Sequence, residues 1–240
     1  MVFRPAPTAP PLRAHRLPPT ALDTKPIAFA DDGRRATRDL LRRFEGLPAG
    51  RIPRGVDRLE VGKRFETLEA IDRQYGGNTG LPLEDVADLV SSILADLARI
   101  DDGELVIGVA LWAIRHGVAI EAPEPVVNAL ANRSNGARGK EELAAVIAIT
   151  HAVIANVRPR LGHDLERSNP ERPWRLLHAN LAITAIRTEE ASLMDAAFDA
   201  LDAALPDEAQ SFYGEARALA LAPGISPVVR ERIEVRLQGR

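Results

Sequence analysis

This 240-residue chain has five histidines, the residue type most used for acid–base and metal chemistry: His15, His116, His151, His163 and His178. There is no cysteine, which removes disulfides, thiolate metal sites and a cysteine nucleophile. One spacing suggests chemistry. His163 stands directly before Asp164, with His116 or His151 upstream and Asp195, Asp199 or Asp202 downstream. Neutral imidazoles and carboxylates that converge can hold a divalent metal, and metal-bound water is a nucleophile at neutral pH. A plainer reading competes with it. His163 and Asp164 lie in the charged run RPRLGHDLERS, where a solvated turn or helix cap uses the same residues. His151 and His178 fall within apolar helical stretches, where a hydrogen-bonded core histidine is the ordinary case.

Other catalytic patterns are missing. The YGGNTG stretch has no following Lys-Ser/Thr and no preceding strand, so it reads as a helix terminator and turn. No G-x-S-x-G element occurs, and no helix pairs histidines with an acid at ligand spacing. Trp112 and Trp174 read as core anchors. No cofactor is expected. An all-α chain with His, then His-Asp, then Asp resembles the metal-dependent phosphohydrolases of the His-Asp superfamily. That resemblance implies a hydrolase built on His163 and Asp164, and it is the alternative to a non-catalytic protein.

The second candidate is cationic. Residues 1–55 carry 11 Lys and Arg against five acids, while the remainder is acidic, and the whole chain is at −3. Arg34, Arg35, Arg38, Arg42 and Arg43 crowd one short segment, RRATRDLLRRF. A polyanion could bind there, but the interleaved aromatics and helical reader of specific nucleic-acid recognition are absent. The preferred readings are docking of this amphipathic segment on a protein partner, or folding onto the protein's own acidic surface.

These residues need elements to position them. Residues 1–30 hold seven prolines and few apolar residues, and proline disfavours both helix and sheet. An extended, disordered arm is expected. Asp32 is placed to cap a short helix through Phe44, with Ala36, Leu40 and Phe44 on one face. Gly46, Pro48, Gly50, Pro53 and Gly55 then read as a linker, so residues 1–55 form a basic arm and an all-helical domain runs over 56–240. In that domain LPLEDVADLVSSILADLARI keeps a clean 3.6 period. ELVIGVALWAIRHG is apolar nearly all round and predicts a central buried helix closed at Gly117. KEELAAVIAITHAVIANV predicts another, ended or kinked at Pro159. Residues 158–173 predict at best one short helix. Ser226 and Pro227 open the last one. No strand alternation occurs, no apolar run is long enough to cross a membrane, and no signal-peptide core is present. A cytoplasmic location is the expectation. Arginine far outnumbers lysine and alanine is abundant, as in a GC-rich bacterial coding sequence.

Predicted helices start near 104, 140, 173 and 207, a spacing of about 34 residues. In HANLAITAIRTEEASLMDAAFDALDAALP, Leu181, Ala182 and Ala185 sit on one helix and Met194, Phe198 and Leu201 on the next, with Pro206 after it. A shift of one period puts Ala148, Ala182 and Ala216 in register, where a small side chain lets helices cross closely. This stretch resembles the tetratricopeptide-repeat family over residues 104–240. The resemblance implies antiparallel helical hairpins stacked as a short solenoid; an irregular bundle is the other arrangement. The function expected is that of a non-catalytic adaptor or scaffold for a protein partner. A substrate or gatekeeper of a bacterial secretion apparatus is a further reading, because an unfolded N-terminus before a helical body suits it.

Overall fold

The computed structural model describes residues 33–75, 81–222 and 224–239, without the side chains of 33–36 and 73–75. The expected extended arm over 1–30, with His15 and the Asp32 cap, lies outside the described residues, as does most of the YGGNTG turn. Among the described residues there are ten α-helices and no strand. They are α1 (Gly33–Glu45), α2 (Arg58–Tyr75), α3 (Leu83–Ile100), α4 (Gly103–Arg115), α5 (Glu124–Gly136), α6 (Lys140–Leu161), α7 (Pro173–Thr188), α8 (Ala191–Ala204), α9 (Ala209–Ala220) and α10 (Pro227–Gln238).

Neighbours in sequence pack on one another: α1 with α2, α3 with α4, α4 with α5, α6 with α7, α7 with α8, and α9 with α10. Between α3 and α4 only two residues turn the chain. Asp101 takes a left-handed conformation (φ 59°), and the Asp102 side chain caps α4 by accepting the Leu105 amide at 3.1 Å. That cap satisfies one of the free amides of a helix start. Gly117 (φ 66°) ends the turn after α4, in the conformation that favours glycine. Helix α4 is the centre: Leu105 through Ala113 are all buried, as its all-round apolar character requires.

Two sequence expectations change. The first concerns the boundary at Val56. Helix α1 is part of the core, with Thr37, Leu40, Leu41 and Phe44 buried and the Phe44 ring 5.4 Å from Phe65. Leu47 and Ile52 pack against the core behind it. Arg99 holds the stretch with hydrogen bonds to the carbonyls of Gly55 (2.9 Å) and Arg54 (3.1 Å). The all-helical body therefore takes in α1 and the turn after it. A Gly/Pro-rich stretch reads as a linker by composition, but here arginine donors satisfy its carbonyls. The second concerns Pro159, which does not end α6; the helix runs on to Leu161. Near a C-terminus proline forfeits one backbone bond, and the helix closes two residues later.

Helices adjacent in sequence stack on one another, which is compatible with a helical array. Hairpins form between α4 and α5, α7 and α8, and α9 and α10, and the long helix α6 falls between the first two in sequence. Residue by residue the period does not hold. Ala182 is fully buried, Ala216 half-buried and Ala148 exposed.

Candidate functional site

Two polar clusters hold buried charged side chains. In the first, Asp72 of α2 is buried between α1 and α4. It accepts hydrogen bonds from Thr37, from Arg115 (3.0 Å) and from His116 Nε2 (2.5 Å). Arg38 pairs with Glu69 at 3.0 Å; at the opposite end of α4, Arg43 pairs with its cap Asp102 at 3.1 Å. Arg42 lies exposed beside Asp39 at 3.5 Å. The side chains of Arg34 and Arg35 lie outside the described residues. Two members of the expected cationic patch thus fold onto acids outside α1, and a third pairs within it. The amphipathic pattern of α1 presents them there: its apolar face is committed to the core, and Arg38 and Arg43 flank that face.

Burial by itself would raise the pKa of Asp72, but the hydrogen bonds from His116 and Thr37, followed by the Arg115 charge, outweigh it and hold the carboxyl below its usual range. A carboxyl with a lower pKa in the folded state stabilises the fold above its unfolded pKa of about 4. That stability is lost as pH falls through the folded value. Asp72→Asn is therefore expected to flatten the loss of stability below about pH 4, read as urea midpoints across the acid range. A variant with the same acid limb as wild type would show that other carboxylates carry it.

The second cluster is built on a residue that composition does not single out. Arg172, at the N-cap of α7, is buried. Its Nε and Nη2 donate to the two oxygens of Asp164 at 2.5 and 2.9 Å. Its Nη1 donates to the carbonyls of Asn169 (3.0 Å) and Arg167 (3.3 Å), and Nη2 also reaches Glu208. Arg175, one turn along α7, donates to the other Glu208 oxygen at 2.6 Å. The loop 162–172, which has no regular structure of its own, is thus wound around one guanidinium. Asp164 takes a left-handed conformation (φ 46°) to reach it. The hydrogen bond to Asp164 is the largest cause of a raised Arg172 pKa. Burial would raise the Glu208 carboxyl, but the hydrogen bonds from Arg172 and Arg175 lower it below its ordinary value. A cavity of about 460 Å³ opens between this loop and the α8–α9 connection. Pro170, Ala204, Leu205 and Pro206 give it an apolar side, and Arg167 and Asp207 meet at its rim at 2.9 Å.

The proposed metal ligands do not come together. His163 is exposed, and both oxygens of its neighbour Asp164 are taken by Arg172. His116 is bonded to Asp72. His178 Nδ1 donates to the Trp174 carbonyl at 2.8 Å, and burial lowers the pKa of both His178 and His151. Asp199 and Asp202 pair with Arg236 of α10, and Asp195 lies within reach of Arg232. Among the described residues no three His, Asp or Glu side chains are disposed to hold a metal ion. The residues present do not fit the metal that the hydrolase resemblance implies. The chain matches no family model, no curated protein and no solved structure.

Sequence reasoning missed Arg172 and Arg175, because arginine is common throughout the chain. A signal was available. Pro173 reads as the N1 position of a helix, which places Arg172 at its N-cap, where the loop meets the helix. It also missed that Trp112–His116 and Trp174–His178 are matched i, i+4 ring pairs, each with centroids 4.3 Å apart.

Proposed function

We propose that this protein is a non-catalytic adaptor that presents its stacked helices to a protein partner. The observation that carries the reading is the outer face of α6. No charged residue occurs between Glu142 and Arg158. Ala148 and Ala155 are exposed there, and Ala144, Ala145, Ile149 and Ala152 are half-exposed. Depletion of charge, flanked by charged residues, is what the centre of a protein interface shows relative to ordinary surface. Helix α6 is also the one described helix long and apolar enough to cross a membrane by composition, but Leu143, Val146, Ile147, Val153, Ile154 and Val157 are buried against its neighbours, as in a core helix. The hydrolase reading draws no support from the geometry of His163 and Asp164.

The test is capture from a lysate of the native host with the full chain as bait. Wild type is expected to retain a defined protein set that Ala148→Arg with Ala152→Arg loses while keeping its circular dichroism and melting temperature. Equal capture by both proteins would put the interface elsewhere than α6.

A further inference from the structure

We infer that the cavity beyond the C-terminus of α6 is a recognition site for a carboxylate side chain of a partner segment, with Glu208 of this chain as its resident competitor. The inference rests on the adaptor reading, and it names what the partner must carry.

Two guanidiniums, Arg172 and Arg175, converge on one carboxylate at the wall of the cavity. Each gives one charge-assisted hydrogen bond, Arg172 through Nη2 and Arg175 through Nε, so together they hold a carboxylate by both oxygens. Arg172 is almost wholly buried, so its position is fixed by the fold; the Glu208 side chain is about one-third exposed and can rotate into water. The charged groups around the cavity are three guanidiniums (Arg167, Arg172, Arg175) and three carboxylates (Asp164, Asp207, Glu208). Asp164 is tied to Arg172 by both oxygens, and Asp207 pairs with Arg167 at the rim. With Glu208 turned outward the cavity keeps one excess positive charge, which one incoming carboxylate neutralises. The exchange swaps one carboxylate for another and leaves no guanidinium unpaired, so it avoids the cost of an isolated buried charge. At about 460 Å³ the cavity has room for a side chain and its neighbours, within the roughly 300–1,000 Å³ of ordinary ligand sites. Pro170, Leu205 and Pro206 offer an apolar wall to a flanking aliphatic residue.

The experiment is titration calorimetry on the full chain with three probes: Ac-Leu-Glu-Ala-NH2, its neutral analogue Ac-Leu-Gln-Ala-NH2, and succinate. An internal competitor lowers apparent affinity by the fraction of time the fork is vacant, so Glu208→Gln is expected to bind the Glu peptide about tenfold more tightly than wild type, or better. Glu208→Asp keeps the charge, is too short to span both guanidiniums, and is expected to bind more tightly too; it serves if the Gln variant is poorly folded. Arg175→Gln in either background is expected to abolish binding. Equal binding of the neutral peptide, or no binding by either Glu208 variant, overturns the site. Binding of succinate without the Glu peptide overturns the partner assignment in favour of a small dicarboxylate. Ala148→Arg with Ala152→Arg is expected to leave peptide binding intact, so failure of the α6 interface and failure of the carboxylate site are read separately.

Discussion

Arg172→Met is expected to destabilise the protein by about 3–5 kcal/mol, because it strands Asp164, buried and charged, without its partner. Part of the loss is backbone. The same guanidinium satisfies the carbonyls of Arg167 and Asn169, and these keep the 162–172 loop folded against α7. Asp164→Leu combined with Arg172→Met is expected to cost much less than the sum of the two single changes, since removing both charges leaves neither unpaired. Urea unfolding at neutral pH checks both statements. A cost for Arg172→Met below about 1 kcal/mol would place the cluster among solvated surface pairs.

Phe198→Ala is expected to cost about 3–5 kcal/mol, the range for emptying an aromatic core position. Phe198 is fully buried on α8. Its ring meets Tyr213 of α9 edge-on, with centroids 5.2 Å apart, and the Arg236 guanidinium of α10 stands 5.8 Å from its centre. Tyr213 donates to Asp202 at 3.0 Å, so the ring pair joins α8 to the last hairpin. Phe198→Ala and Tyr213→Ala should be non-additive, with coupling of about 0.5–1.5 kcal/mol for the aromatic pair. Ala182→Leu, on the facing helix α7, overpacks a fully buried position and is expected to cost about 1–3 kcal/mol. Additive behaviour of Phe198 and Tyr213 in denaturant titrations would show that the terminal hairpin is stabilised without this contact.

The helices and their inward faces were legible. Val86, Ala87, Val90, Ile93, Leu94 and Leu97 of α3 are buried as their spacing requires, and so are Leu181, Ala182, Ala185, Met194, Phe198 and Leu201 of the α7–α8 hairpin. Periodicity is a local property, and burial selects it within a few turns of one helix. The function of α1 was only half legible. Its amphipathic pattern was plain, but its assignment to an arm rested on the Gly/Pro stretch that follows, and composition does not show that Arg99 clamps that stretch from 44 and 45 residues away.

The amino-acid order was sufficient for an all-α fold, for hairpins from α4 onward, and for a chain without thiol chemistry, because hydrophobic spacing, helix caps and composition act over short distances. Charge partners were settled by packing. Asp72 meets Thr37 and Arg115 across 35 and 43 residues, and Glu208 meets Arg172 across 36. Which acid faces which arginine depends on the helices that end up adjacent, and 28 arginines among 34 acids leave that choice open in one dimension. Three alanines one period apart show the same divide. Ala148, Ala182 and Ala216 are equivalent along the chain, yet one is exposed, one buried and one between, because a helix rotates its face toward whichever neighbour covers it.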